Sequence, residues 1–120
     1  MKKFLLLIFI IFLLPFGCKD LTRNANKGNF RLINKSEKIV EFVWIAPEGE
    51  FFPTAKNVDI GNDQVYESEG LMPGVYDIAI DFHDEFNSFN SKKDKYLCLY
   101  IEKGLTTVWY VDQHGDIIRK

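Results

Sequence analysis

The sequence has few cysteines, no excess of basic residues and none of the short motifs that mark nucleophilic catalysis. Two of its 120 residues are cysteines, Cys18 and Cys98. It contains no Gly-x-Ser-x-Gly elbow, no glycine-rich phosphate loop and no Cys-x-x-Cys pair. The 15 Lys and Arg residues are outnumbered by 17 Asp and Glu. This balance argues against a nucleic-acid partner, because the phosphate backbone requires a basic surface.

Long apolar runs are also absent, since the longest run, residues 4–16, has only thirteen residues. A helix that crosses a bilayer needs roughly 20 apolar residues. The run follows the short positive segment Met1, Lys2 and Lys3, and this order is typical of a secretory signal peptide. The sequence therefore predicts export rather than a membrane-spanning helix.

The end of this run resembles the lipobox of bacterial lipoprotein signal peptides. The residues that match are Leu13, Leu14, Gly17 and Cys18, whereas Pro15 and Phe16 depart from the family pattern. The resemblance implies cleavage before Cys18, a diacylglyceryl thioether on its sulfur and an acyl chain such as palmitate on its new amino group. Anchoring to a membrane of the bacterial cell envelope would follow. The alternative is an ordinary secretory signal that happens to precede a cysteine.

The chain divides into three parts on composition. Residues 1–17 are the predicted signal peptide, residues 18–28 a polar tether that begins at the lipidated cysteine, and residues 29–120 one domain. Without the signal peptide, the chain contains 13 Lys and Arg residues and 17 Asp and Glu residues, which gives a net charge of −4. The lipid would therefore anchor the domain without help from a basic patch. Lipidated Cys18 would leave Cys98 without a disulfide partner, and we expect Cys98 to be a small core side chain.

From residue 29 onward the apolar pattern has a period of two, which predicts β-strands. We expect an all-β fold, a single antiparallel β-sandwich of about seven strands without helices. In the strand around residues 75–82 the pattern predicts that Tyr76, Ile78, Ile80 and Phe82 face the core and that Asp77 and Asp81 face water. In the strand around residues 38–46 it places Val40, Phe42 and Trp44 inward. It does not choose an inward face for residues 105–112. The last three strands are predicted to form a meander through turns at Gly104 and Gly115.

The segment of residues 71–78, Leu-x-Pro-Gly-x-Tyr-x-Ile, suits a type II turn that leads into a strand, with Pro73 and Gly74 as its central residues and a positive φ at Gly74. It looks like the turn before a late strand in immunoglobulin-like and prealbumin-like sandwiches. This resemblance implies that Leu71 and Tyr76 pack under the turn.

Candidate chemistry is sparse. Asp81 and His83 would share a face of a strand and could donate two ligands to a metal, but nothing brings His114 to them, and a solvated acidic loop is the favoured interpretation. No pocket-lining motif indicates an enzyme or a cofactor.

Two polar loops carry aromatic pairs, Phe51 with Phe52 and Phe86 with Phe89. Aromatic loop residues on a rigid sandwich can form a binding surface. The other interpretation, which we favour for these pairs because exposed aromatics promote aggregation, is that they fold back over an open end of the sandwich. The sequence thus predicts a non-enzymatic envelope lipoprotein that binds a protein or glycan. The alternatives are a structural or accessory lipoprotein without a separate ligand and a small metal-dependent enzyme.

Overall fold

The computed structural model describes residues 26–54 and 57–119, which form nine strands and one short 3₁₀ turn at Lys95–Leu97. The strands are β1 (Gly28–Asn34), β2 (Val40–Pro47), β3 (Asn57–Ile60), β4 (Val65–Leu71), β5 (Gly74–Phe82), β6 (Glu85–Asn90), β7 (Leu99–Ile101), β8 (Thr106–Val111) and β9 (Ile117–Arg119). The predicted signal peptide, Cys18 and most of the predicted tether lie outside the described residues. Within the described residues, no helix is long and apolar enough to span a bilayer.

The strands form two sheets. The first sheet has the order β4-β1-β8-β9, and the second has the order β3-β2-β5-β6, with β7 also paired to β5. Every pairing is antiparallel except that of β1 with β8, which run parallel. The all-β sandwich predicted from the sequence is therefore confirmed. The structure contains nine strands where the sequence indicated about seven, because short strands such as β3 carry little alternation.

The core lies between the two sheets and is built from the alternating apolar residues of their strands. Phe30 and Leu32 of β1 are fully buried, and the ring of Phe30 meets the edge of Trp109 with ring centroids 5.4 Å apart. Ile78 and Ile80 of β5 are also fully buried, as the period-two pattern predicts. On β8, whose inward face the sequence left open, the buried side chains are Trp109 and Val111.

The turn after β1 carries the chain from the first sheet to the second. The buried amide of Asn34 donates hydrogen bonds to the carbonyl oxygens of Lys38 at 2.7 Å and Ile60 at 2.9 Å. Its side-chain oxygen accepts hydrogen bonds from the backbone N–H and the hydroxyl of Ser36. One asparagine side chain thus joins the start of β2, the end of β3 and the turn itself, which fixes how the sheets are connected.

The inward face predicted for β2 is wrong beyond Val40. A register shift separates Val40, opposite Phe82, from Phe42, opposite Asp81. This β-bulge adds one residue to β2 and reverses which side chains face the core. Val43 is consequently part of the core, whereas Phe42 and Trp44 are only partly buried, and their rings stack on each other at 5.1 Å.

The predicted meander of the last three strands is half correct. β8 and β9 pair in antiparallel fashion around a turn at Gly115, whose φ is 86°, so that hairpin is confirmed. β7 instead pairs with β5 in the second sheet, and the turn at Gly104 carries the chain across the sandwich. A short polar turn can join two paired strands of one sheet or two strands in different sheets, and the local sequence does not distinguish these two connections.

The turn between β4 and β5 lies where the sequence predicts it, but its geometry is not that of the predicted type II turn. Gly74 has a positive φ of 151° and begins β5, whereas the second central residue of a type II turn has a φ of about +80°. Both Leu71 and Tyr76 pack against the core. The hydroxyl of Tyr76 donates a 2.6 Å hydrogen bond to the carbonyl oxygen of Met72. This bond secures the passage from the first sheet to the second.

Candidate functional site

Both acids on the outer face of β5 are buried, which contradicts the prediction that they face water. Asp77 is 5% exposed and Asp81 is 6% exposed. The alternation of β5 is correct, because its other face does contribute Ile78 and Ile80 to the core. Strand periodicity shows only which side a residue occupies. For Asp77, strand periodicity cannot predict that more distant segments of the chain cover that side and bury the carboxylate.

Asp77 is the centre of a buried polar cluster. Its carboxylate accepts hydrogen bonds from the backbone N–H of Gly49 at 3.0 Å and from the hydroxyl of Ser91 at 3.1 Å. The ammonium group of Lys92 lies 3.6 Å from the same carboxylate. Burial by itself would raise the pKa of Asp77. The hydrogen bonds from Gly49 and Ser91 and the charge of Lys92 together outweigh burial and hold the pKa below its usual value.

Cys98 completes this cluster. It is 2% exposed, so the prediction that it is a buried side chain is confirmed. The structure adds acidic neighbours that the local sequence does not contain, since its sulfur lies 3.7 Å from Asp77 and 3.8 Å from Glu48. Burial and the charge of Asp77 raise the pKa of the Cys98 thiol. A thiol in this environment is a poor nucleophile.

The cluster joins two segments, residues 48–53 and 91–98, which we call the loop face. Lys92 bridges the segments, because its ammonium group donates a 2.6 Å hydrogen bond to the carbonyl oxygen of Glu50 and lies 4.9 Å from the ring centre of Phe52. The hydroxyl of Ser91 also accepts a 2.8 Å hydrogen bond from the backbone N–H of Ile78. The loop face is thereby tied to β5, in the centre of the second sheet.

Two aromatic side chains of the loop face project into solvent. Phe51 is 96% exposed and Tyr96 is 87% exposed, whereas Phe52 is partly buried beneath Lys92. The backbone at Tyr96 is fixed by a 3.0 Å hydrogen bond from its N–H to the side chain of Asp94. Sequence reasoning missed Tyr96. The available signal was an aspartate two residues before it, because this spacing allows the carboxylate to accept a backbone hydrogen bond and fix a turn.

The second aromatic pair does not form a binding surface as a unit. Phe86 and Phe89 lie on strand β6 rather than in the predicted loop. Phe89 packs against the core with its ring 5.7 Å from that of Trp109, so its side chain is not part of an exposed surface. The side chain of Phe86 lies outside what the structure describes. Of the predicted loop aromatics, Phe51 is the one whose described side chain is fully available to a partner.

The two candidate metal ligands, Asp81 and His83, lie in different surroundings. His83 is exposed and contacts Glu41 at 2.9 Å and Asp84 at 3.5 Å. The hydrogen bond to Glu41, followed by the charge of Asp84, raises the pKa of His83. Asp81 is buried, and its Oδ1 atom has no hydrogen-bond partner among the described residues. Within residues 26–54 and 57–119, no group of three or more His, Cys, Asp and Glu residues could hold a metal ion.

A cleft of about 370 Å³ adjoins the loop face, between β7 of the second sheet and β8 and β9 of the first. Its lining residues are Cys98, Tyr100, Glu102, Thr107, Trp109 and Arg119. The guanidinium group of Arg119 donates a 2.6 Å hydrogen bond to the carbonyl oxygen of Tyr96. Arg119 and Cys98 therefore connect the cleft to the loop face.

The groups of this region divide into buried ones that hold the loops and accessible ones. In the buried cluster, the charge of Asp77 is satisfied and the Cys98 thiol has a raised pKa, so both side chains serve to hold the loop face in place. The groups that remain accessible are the rings of Phe51 and Tyr96 and the polar and aromatic lining of the cleft.

No family model matches the chain, and neither a curated protein nor a solved structure matches it.

Proposed function

We propose that this protein is a lipid-anchored, non-enzymatic binding module of the bacterial cell envelope, and that its partner docks on the loop face. The observation that supports this proposal is the exposure of Phe51 and Tyr96, 96% and 87%, on segments held by a buried hydrogen-bonded cluster. Large aromatic side chains are enriched in the centres of protein interfaces and supply much of their binding energy. On a domain without a partner, an exposed ring on an anchored loop leaves apolar surface in contact with water. On a domain with a partner, the same ring can be buried in the interface.

The anchoring of the loops adds support, because ordering a flexible loop on binding reduces affinity. Gly49, Ser91 and Lys92 already restrain both segments through Asp77. A partner would therefore meet rings whose backbone is preorganised. The lipid proposed on Cys18 would keep this surface close to the membrane, and the polar residues before β1 would separate the two.

The binding test uses the full-length chain, tagged at its carboxyl end and purified from native membranes together with its partners. Changing Phe51 and Tyr96 to serine should remove at least one bound component. The control changes Met72 and Val65 to serine, because these apolar side chains are also exposed, 63% and 43%, but lie on or beside β4. The control should retain every component that the unaltered chain binds. Identical components on all three proteins would contradict the docking proposal and favour an accessory role without a separate ligand.

The anchoring proposal has its own test. A mass spectrum of the native amino terminus should show Cys18 as the first residue, with the added mass of a diacylglyceryl group and an acyl chain. An intact Met1, or cleavage at another bond, would contradict the proposed anchor.

A further inference from the structure

The cleft beside the loop face carries two opposite charges that do not pair with each other. Glu102 follows β7 and Arg119 ends β9, and both line the cleft. Among the described residues, neither side chain forms an ion pair within 4.0 Å. A cleft with a positive group and a negative group at separate positions is complementary to a ligand that carries both charges.

Arg119 is already positioned for such a ligand. One of its terminal nitrogens donates to the carbonyl oxygen of Tyr96, and its guanidinium carbon lies 5.9 Å from the ring centre of Trp109. An arginine has five N–H donors, so this single hydrogen bond leaves others for a carboxylate. The planar guanidinium group can donate two parallel hydrogen bonds to a carboxylate.

The other lining side chains that matter here are two aromatic rings and a threonine whose hydroxyl already donates a hydrogen bond. Trp109 is buried at the cleft, whereas Tyr100 is 57% exposed beside it. The hydroxyl of Thr107 donates a 3.0 Å hydrogen bond to the carbonyl oxygen of Tyr100. The exposed ring of Tyr100 thus gives the cleft an apolar surface in addition to its two charges. Its volume of about 370 Å³ is in the range of small-molecule sites.

We infer that this cleft binds a free α-amino acid in its zwitterionic form, with an apolar side chain. The ligand carboxylate would bind Arg119, its ammonium group would bind Glu102, and its side chain would pack against Tyr100, close to the buried ring of Trp109. This inference is independent of the proposed docking of a macromolecule on Phe51 and Tyr96, because it uses other side chains.

The test uses the full-length chain in detergent with the substitution Trp44→Phe, so that Trp109 is the one remaining tryptophan of the sequence. The probe is L-phenylalanine, and the signal is tryptophan fluorescence excited where phenylalanine does not absorb. We expect a saturable change. Phenylalaninamide lacks the carboxylate and N-acetylphenylalanine lacks the ammonium group, so each should bind at least about tenfold more weakly, equivalent to the loss of one charged hydrogen bond.

Two variants assign the charges to their residues. Arg119→Gln should abolish the preference for phenylalanine over its amide, and Glu102→Gln should abolish the preference over the acetylated form. Lys103→Gln, a charge change next to Glu102 outside the cleft lining, should leave both preferences unchanged. A protein that gives no saturable signal, or that binds the capped forms as tightly as phenylalanine, would overturn the inference even if a variant fails to fold.

Discussion

Asp77 and Asp81 project from the same face of β5 and are equally buried, yet only Asp77 is surrounded by donors. Asp77 accepts hydrogen bonds from Gly49 and Ser91, whereas the buried Oδ1 atom of Asp81 has no hydrogen-bond partner among the described residues. Asp77 therefore holds two loops in place, while Asp81, on the same strand, buries one carboxylate oxygen without a hydrogen bond.

Replacing each of these aspartates by valine should change stability in opposite directions. Asp77→Val leaves the N–H of Gly49 and the hydroxyl of Ser91 without their acceptor and should lower the free energy of unfolding by about 2 kcal/mol. Asp81→Val removes an unsatisfied oxygen and adds a residue that favours strands, and should raise the free energy by about 1 kcal/mol. Urea unfolding monitored by circular dichroism measures both. Equal destabilisation by the two changes would contradict the structural distinction.

The lowered pKa of Asp77 should make the domain less stable in acid. A carboxyl group whose pKa is lower in the folded state stabilises the fold above its unfolded pKa of about 3.9, and this contribution is lost as the pH falls through the folded value. Lys92→Gln removes one of the groups that lower the pKa. We therefore expect a smaller loss of stability between pH 7 and pH 3 in this variant than in the unaltered protein.

Urea unfolding at several pH values measures this difference. Lys93→Gln is the control, because Lys93 is exposed and adjacent to Lys92 but forms no ion pair with Asp77 within the described residues. The control should lose as much stability in acid as the unaltered protein. If Lys92→Gln and Lys93→Gln respond identically to acid, Lys92 does not act on Asp77.

Two of the predicted loop aromatics, Phe51 and Phe89, should differ in their effect on the fold. Phe89→Ala removes a ring packed against Trp109 and should lower the free energy of unfolding by about 2 kcal/mol, below the full cost of a core phenylalanine because Phe89 is only partly buried. Phe51→Ala removes a ring that is 96% exposed and should change stability by less than about 0.5 kcal/mol. Thermal unfolding of the two variants measures the difference. A large loss in Phe51→Ala would show that its ring packs against the domain.

Gly28 should not tolerate a side chain. A Cβ atom there would lie 2.5 Å from the carbonyl oxygen of Glu102 and 2.6 Å from a methyl carbon of Ile101, so Gly28→Ala should destabilise the fold by about 1–3 kcal/mol. Gly61→Ala is the matched control, since its nearest neighbour would be a flexible Gln64 atom at 3.6 Å, and it should be nearly neutral. Chemical unfolding of both variants provides the measurement. Equal stability of the two would contradict the close approach of β1 to the end of β7.

Much of the fold could be predicted from local sequence because local chemistry determines it. The period of two identified β5 and its core face, and the residues Pro73 and Gly74 identified the turn before it. The bulge in β2 could not be predicted, because it depends on pairing with Phe82 and Asp81, about 40 residues later. The crossing from β7 to β8 likewise depends on which sheet has a free position for each strand.

The candidate site was less predictable than the fold for the same reason. Phe51 was identified because an aromatic residue in a polar loop is visible in the sequence. The role of Asp77 was not, because its partners Gly49, Ser91 and Lys92 come from two other segments of the chain. A cluster assembled across strands leaves no spacing pattern in the sequence.

The position of β1 has a mechanical consequence for a domain tethered at its amino end. β1 is an interior strand, with β4 along one edge and β8 along the other. A force applied to the residues before Gly28 along the axis of β1 would load both hydrogen-bond ladders in shear, so many bonds would resist it at once. If the chain is attached to a membrane as proposed, stretching forces enter the domain at a strand supported on both sides rather than at an edge that could peel away bond by bond.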